Sequence, residues 1–245
     1  MTRRTARATA ARVLRQLARD RRTLVMLIAV PSVLLVLVRF AFDARPAVFQ
    51  RTGLPLIGVF PLVSMFLVAS ISMLRERRSG TLERLMALPA TKPGLLLGYA
   101  GGFAVVAGVQ AVVTLSVGMG LLGLDVAGPF WLAVVIAIAN ALLGMAMGLA
   151  LSAFAATEFQ AIQFMPAFVL PQFLLCGLIA DRADMARPLE IVSNVLPLTY
   201  AYDALRAVAD QPGVGSGVLV DLAVSMAMAA LSLAAGAATL RRRTP

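Results

Sequence analysis

The sequence predicts an all-α integral membrane protein with six transmembrane helices. Of its 245 residues, 60% are hydrophobic and 14% are charged, whereas charged residues make up about 25% of a typical soluble domain. The charges are clustered and leave long uncharged stretches, and a helix of roughly 20 apolar residues crosses the hydrocarbon layer. These stretches are apolar on every side and lack the alternation of barrel strands, so helices are favoured over a β-barrel.

The uncharged stretches, six in number, are 16 to 32 residues long. The shortest is the first, which Phe40–Phe42 extends, and Arg39 can place its guanidinium at the interface. Each 32-residue stretch accommodates one helix but not two. The chain, 1–245, is predicted to form one transmembrane domain with spans at residues 23–42, 54–74, 94–122, 129–154, 160–180 and 219–240.

The positions of the basic residues predict the orientation, because connections rich in Lys and Arg stay in the cytoplasm. With six spans, 16 of the 22 basic residues fall on one side and six on the other. Both termini are therefore predicted to be cytoplasmic, and the net charge of +10 reflects topology rather than nucleic-acid binding. Since 21 of the basic residues are Arg, a bias typical of GC-rich bacterial genomes, the predicted location is the bacterial inner membrane.

Residues 1–22 contain eight arginines and a narrow apolar face. Helical spacing aligns Ala6, Ala10, Val13, Leu14 and Leu17, with arginines around the rest of the helix. This pattern predicts an amphipathic helix that lies on the cytoplasmic face of an anionic membrane and contacts its lipids. The alternative is a disordered basic tail.

The connection at residues 75–93 has the pattern of a short cytoplasmic helix. Ser79 or Thr81 can cap its N-terminus, and Pro89 ends it. Between them, Leu82, Leu85 and Met86 follow the i, i+3, i+4 spacing of one apolar face. Such a helix is suited to docking against a partner protein. A helix that folds back onto the membrane surface fits the pattern equally well.

The segment at residues 181–217 is the longest connection and is predicted to lie on the outer side. It carries five acidic residues and three arginines, followed by an apolar run that Pro197 interrupts. That run is too broken to span the membrane. The sequence therefore predicts a pair of re-entrant or surface-lying helices between the fifth and sixth spans.

The chain contains none of the patterns expected of an enzyme site. Histidine is absent, and the single cysteine, Cys176, excludes an intrachain disulfide or a CxxC metal site. No G-x-x-x-x-G-K-[ST] phosphate loop is present, so ATP binding by such a loop is excluded. We therefore predict no catalytic residue, no bound metal and no cofactor on this chain.

Polar residues within the predicted spans are few. Acidic residues fall only at span ends, which argues against a proton-driven or sodium-driven carrier. Gly98–Gly102 and Gly144–Gly148 have GxxxG spacing, which permits close helix approach without indicating which helices meet. The polar residues predicted to line a pathway or to join helices are Gln110, Asn140, Gln163 and Gln172.

Two segments resemble a known family. The segment RERRSGTLERLMALPATKPGLLLG resembles the E-x-x-x-G-T-L-E-x-L-x-x-x-P signature of ABC-2-type permeases. The second segment has a Pro-containing fifth span followed by P-L-T-Y-x-x-D-A-L-R, which resembles the second signature of the same family. The daunorubicin-resistance and nodulation-factor export permeases are most similar in pattern.

This resemblance implies a permease subunit of an ATP-driven exporter, and antibiotic resistance as one context. Two permeases, either two copies or this chain with a paralogue, would pair with two ABC ATPase subunits that bind ATP and Mg. Residues 1–22 would be the elbow helix and 75–93 the coupling loop. The implied ATPase-coupling residues are Glu76, Gly80, Thr81, Leu82, Glu83, Arg84, Leu85 and Met86, and the outer motif comprises Pro197, Leu198, Thr199, Tyr200, Asp203 and Arg206.

The substrate is less well defined by the sequence. Aromatic residues make up only 7% of the chain, which disfavours stacking on sugar rings, so an amphipathic drug or a lipid-like molecule is predicted over a polysaccharide. The alternative functions are an autonomous channel or secondary carrier that ATP does not drive, and a purely structural membrane subunit.

Overall fold

The computed structural model of the protein describes residues 2–81, 84 and 91–239. Within these residues the regular secondary structure is helical, with no strand, which confirms the all-α prediction for this part of the chain. The helices are α1 Thr2–Arg19, α2 Arg21–Ala41, α3 Pro46–Arg78, α4 Lys92–Leu121, α5 Phe130–Leu151, α6 Glu158–Leu175, α7 Arg187–Ser193, α8 Pro197–Asp210 and α9 Ser216–Thr239.

Among the described residues, five helical segments are long and apolar enough to cross a membrane. The predicted fifth span, 160–180, forms the shorter helix α6, whose 18 residues include three glutamines. The count of six spans therefore stays a prediction. The five segments are Arg21–Ala41, Pro46–Arg78, Pro93–Leu121, Phe130–Phe154 and Ser216–Ala238.

The bundle has two ends that different connections define. One end of the bundle, called the α1 end, contains α1, the last turn of α3 and the first turn of α6. There, Arg75 Nε of α3 lies 2.8 Å from Glu158 Oε1 of α6. The end that we call the α8 end carries α7 and α8, where Ser193 Oγ donates to the carbonyl of Leu175 at 2.8 Å. Helix α6 therefore runs from one end of the bundle to the other.

Helices α3 and α5 form the centre of the bundle and touch at the level of their backbones. A Cβ atom added at Gly144 would lie 2.0 Å from the carbonyl oxygen of Leu62, and one at Gly148 would lie 2.4 Å from that of Phe66. Only glycine permits this approach, because any side chain would clash with the facing backbone. Small residues at helix contacts allow such close van der Waals packing within lipid. The Gly144–Gly148 pair thus belongs to the contact between α3 and α5.

Glycines of α4 form a second close contact, with α1. A Cβ added at Gly94 would lie 3.0 Å from Thr5 Cβ, and one added at Gly98 would lie 2.3 Å from Thr9 Cβ. At Gly102, an added Cβ would lie 3.0 Å from a methyl group of Val13. The two helices run side by side in the same direction over about two turns. Thr9, Val13 and Leu17 form the buried face of α1, and every arginine from residue 2 to residue 22 except Arg12 is exposed.

The predicted pair of helices between the fifth and sixth spans is present as α7 and α8. One face of α8 is buried against α3, α5 and α9, with Leu205 seated beside Gly58 of α3. Helix α8 is therefore part of the core of the bundle and does not merely cover its surface.

Candidate functional site

Helix α3 leads directly into the predicted coupling loop. It ends at Ser79, whose backbone N–H donates to the Arg75 carbonyl at 2.9 Å, and the next residue, Gly80, has φ +67°. That left-handed conformation favours glycine and turns the chain sharply. Beyond this turn, Arg84 N–H donates to the Gly80 carbonyl at 3.2 Å.

Ser79, one of the two residues predicted to cap the N-terminus of the coupling helix, has another role, and Pro89, predicted to end that helix, lies outside the described residues. Ser79 ends α3, and its hydroxyl lies 2.8 Å from that of Thr81. At the far end of the loop, Thr91 caps α4 by accepting from Gly94 N–H at 3.2 Å. Leu82, Glu83, Leu85 and Met86 lie outside the described residues, so their docking contacts stay a prediction.

Glu76, one of the implied coupling residues, lies in a buried polar triad in the last turn of α3. Its side chain is only 7% exposed, and its Oε1 accepts from Arg12 Nη1 of α1 at 2.7 Å. Its second carboxylate oxygen accepts from the hydroxyl of Tyr99 in α4. Arg12 also donates to the Tyr99 hydroxyl at 2.9 Å. The triad of Arg12, Glu76 and Tyr99 thus joins three helices.

The contacts within the triad offset the cost of burying the Arg12 guanidinium. Burial by itself would lower the pKa of Arg12, but its hydrogen bond to Glu76 and the nearby negative charge raise that pKa above its ordinary value. A buried charge without a partner is costly, whereas this pair is hydrogen-bonded on both carboxylate oxygens. The triad therefore fixes the end of α3 against α1 and α4.

Sequence reasoning missed Arg12 and Tyr99. Arg12 is one of eight arginines in the first 22 residues. Arg12 directly precedes Val13 and follows Thr9 by three residues, so it lies at the border of the buried face of α1. This spacing distinguishes it from the arginines that stay exposed. Tyr99 had no comparable signal, because it lies in an otherwise apolar span.

A second polar contact ties the end of α3 to α6. Arg75 donates to both carboxylate oxygens of Glu158, at 2.8 and 3.0 Å, and Arg78 donates to the Ala156 carbonyl. The end of α3 is thus joined to α1, α4 and the start of α6.

Of the four predicted intramembrane polar residues, the structure places three in helix contacts. Gln110 donates to Ser64 Oγ at 3.2 Å, and Asn140 donates to the Gly58 carbonyl at 3.2 Å. Gln172 accepts from Leu198 N–H at 3.4 Å and so joins α6 to α8. Gln163 is exposed on α6 and is the member of this set that faces away from the subunit core.

The residues of the outer motif hold α8 in place. Pro197 starts the helix and Leu198 is fully buried. Thr199, Tyr200 and Asp203 bond to residues before the helix, whereas Arg206 bonds within it. The bonds are Thr199 Oγ1 to the Ser193 carbonyl at 2.7 Å, Tyr200 OH to the Asn194 carbonyl at 2.6 Å, Arg182 Nη2 to Asp203 Oδ2 at 2.6 Å and Arg206 Nη1 to Tyr202 OH at 3.0 Å.

The described residues contain no group of three or more His, Cys, Asp or Glu side chains arranged to hold a metal ion. The polar clusters of this chain instead join helices to one another at both ends of the bundle.

Comparison with known proteins identifies the family. A sequence model of the ABC-2 type transporter family matches residues 5–209. The chain belongs to the ABC-2 type transporter family. It is a multi-pass membrane protein of ABC-transporter type, and the members of this family are the membrane components of transporters.

Several curated ABC transporters are similar to this ABC-2 chain. The probable multidrug ABC transporter permease YbhR of Escherichia coli K12 is 27% identical over 153 residues. This match covers 62% of this chain and 42% of YbhR, and the YbhR protein of Escherichia coli O157:H7 gives the same values. ABC transporter G family member 20 of Dictyostelium discoideum is 26% identical over 139 residues, 57% of this chain and 19% of that protein. The chain thus matches less than half the length of these relatives.

Proposed function

We propose that this chain is the permease subunit of an ATP-driven ABC exporter in the bacterial inner membrane. The observation that carries the proposal is the continuity of α3 with the loop at residues 79–91. The central helix of the bundle ends in a turn at Gly80, and the preceding residues, Arg75 and Glu76, bond to three other helices. A force applied at Gly80 would therefore act on the end of α3 and on the three helices bonded to it.

The partner that would exert this force is an ABC ATPase. Two such subunits, which would bind ATP and Mg²⁺, would dock on two permeases, either two copies of this chain or this chain and a paralogue. Gly80, Thr81, Leu82, Glu83, Arg84, Leu85 and Met86 would contact the ATPase. Glu76 is less accessible, and in the proposal it supports the loop from within the bundle.

The proposed topology has six spans and places the α1 end in the cytoplasm. Helix α6 supports the sixth crossing, because its first residue bonds to Arg75 at the α1 end and its last carbonyl accepts from Ser193 at the α8 end. Its 18 residues correspond to about 27 Å of helix, close to the thickness of the hydrocarbon core. The excess of basic residues on the α1 side supports the orientation.

An amphipathic drug or a lipid-like molecule is the proposed substrate. The word multidrug in the name of YbhR supports this class. The low aromatic content, 7%, and the mainly aliphatic exposed side chains favour the same class over sugars. Gln163, exposed on α6, is the polar residue of the predicted set that is free to meet a substrate or a second permease.

The test is co-purification with a candidate ABC ATPase, followed by ATP hydrolysis in proteoliposomes. We expect the complex to hydrolyse ATP with vanadate sensitivity, and the chain alone to show no hydrolysis. An autonomous channel or secondary carrier would instead conduct or exchange solutes without any ATPase. Turnover by the isolated chain would contradict the proposed division of labour.

A further inference from the structure

Helices α1 and α3 face each other across a cavity at the α1 end of the bundle. The cavity has a volume of about 220 Å³. Gln16 and Leu17 of α1 line one side, Ile71 and Ser72 of α3 line another, and Tyr99 of α4 also lines it. Beside this space, the Arg12 guanidinium reaches Glu76 at 2.7 Å.

The contacts of α1 with α4 and with α3 therefore differ in kind. Against α4, α1 packs closely along the glycines at 94, 98 and 102, so the two helices form a close pair. Against α3, the contact runs through the ion pair of Arg12 and Glu76 next to a cavity. Close packing resists sliding and tilting, whereas a side-chain pair beside a cavity holds an orientation and still leaves room for movement.

We propose that Arg12 is a positioning residue for the coupling of ATP hydrolysis to transport, an inference that rests on the proposed function. Glu76 lies in the last turn of α3, four residues before the turn at Gly80. Arg12 fixes Glu76 relative to the α1–α4 pair. It thereby sets the orientation of the end of α3, and so the position of the coupling loop relative to the ATPase.

The chemistry of the triad explains why arginine is required. The guanidinium presents several donors in one plane, so Arg12 binds Glu76 and Tyr99 at the same time, at 2.7 and 2.9 Å. Its carbon atom Cζ also lies 5.6 Å from the centre of the Tyr99 ring, within reach of a cation–π interaction. A lysine at this position would keep the charge and could donate hydrogen bonds, but it lacks the planar fork of the guanidinium.

The first experiment measures helix positions and needs no ATPase. With Cys176 replaced by alanine, spin labels are placed at Ala11 and Ser79 to report the α1–α3 distance, and at Ala11 and Leu97 to report the α1–α4 distance. Arg12→Gln should broaden the first distribution and leave the second unchanged. The matched control, Arg15→Gln, removes an exposed arginine of the same helix and should change neither. An unchanged α1–α3 distribution in Arg12→Gln would overturn the proposal.

The second experiment measures coupling in the complex, reconstituted in vesicles of phosphatidylethanolamine and phosphatidylglycerol. Arg12→Gln should co-purify with the ATPase normally, yet lower the kcat of permease-stimulated ATP hydrolysis by about fivefold or more, without changing the KM for ATP. Arg12→Lys and Tyr99→Phe should fall between the wild type and Arg12→Gln, and either can replace Arg12→Gln if that variant does not insert.

The two experiments separate this inference from the proposed function. A broadened distance with unchanged kcat would mean that Arg12 serves stability alone, and would overturn its role in coupling. If no ABC ATPase binds the wild-type chain, the permease assignment and the coupling role both fail. The distance measurement would then still decide whether Arg12 holds α3.

Discussion

The carbonyl oxygen of Leu62 in α3 occupies the space that a side chain at Gly144 in α5 would need, since an added Cβ would lie 2.0 Å away. We expect Gly144→Ala to force the two central helices apart and to destabilise the bundle by about 1–3 kcal/mol or more, as overpacked cores do. Thermal unfolding in detergent measures the effect. Gly120→Ala is the control, because nothing lies within 4 Å of a Cβ at Gly120.

The contact between α1 and α4 can be tested in the same way within one helix. At Gly98 an added Cβ would lie 2.3 Å from Thr9 Cβ, whereas at Gly101 its closest neighbour is Ala10 Cβ at an ordinary 3.7 Å. Gly98→Leu should therefore release α1 and expose it to protease, and Gly101→Leu should not. Equal protection of α1 in both variants would show that the glycine contact does not hold α1.

Reporter fusions test the topology. A reporter inserted near Gly215 should be external, and one fused after Pro245 should be cytoplasmic. The reason is that α6 begins at the α1 end and finishes at the α8 end, so α8 and α9 meet on the outer side. A cytoplasmic signal at Gly215 would mean that α6 does not cross, and a five-span topology would replace the proposed one.

Substitutions in the coupling loop test the docking of the ATPase. Leu82→Asp and Leu85→Asp should abolish co-purification, because truncating an apolar anchor at an interface often costs about 2 kcal/mol or more. Membrane insertion should be normal, since neither residue enters lipid in the predicted topology. Glu83→Ala should reduce stimulated hydrolysis more than assembly. Val214→Asp, at the α8 end, is the control, and normal assembly of both Leu variants would favour a loop that only lies on the membrane.

The contact between Arg51 and Asp181 at the α8 end predicts a pH dependence. The hydrogen bond from Arg51 lowers the pKa of Asp181 below its ordinary value, which is about 3.9. An acid whose pKa is lowered by folding stabilises the fold above its unfolded pKa, and this contribution is lost as pH falls through the folded pKa. Unfolding midpoints of wild type and Asp181→Asn should therefore differ by a constant small amount at neutral pH and converge below about pH 4. A gap that persists in acid would contradict the assignment.

Much of the architecture was readable from the sequence because lipid imposes a simple rule. A segment without charges must satisfy its own backbone hydrogen bonds, so the uncharged stretches had to be helices. The helices α2, α3, α4, α5 and α9 begin and end within a few residues of the predicted spans, apart from the longer start of α3. The break at Pro197 likewise predicted a separate helix after the fifth span, and α8 begins there.

The sequence could not indicate which helices touch, because spacing along one helix says nothing about its neighbour. Gly98–Gly102 and Gly144–Gly148 have the same pattern, yet one packs against α1 and the other against α3. The same holds for charge. Spacing places Arg12 at the border of the buried face of α1, but its partners, Glu76 and Tyr99, lie 64 and 87 residues away and are found only in the folded chain. Composition and patterning determined the membrane class, the helices and the family resemblance. Only the tertiary structure selected the partners of the glycines and the buried charge, since contacts between distant residues depend on how the helices assemble.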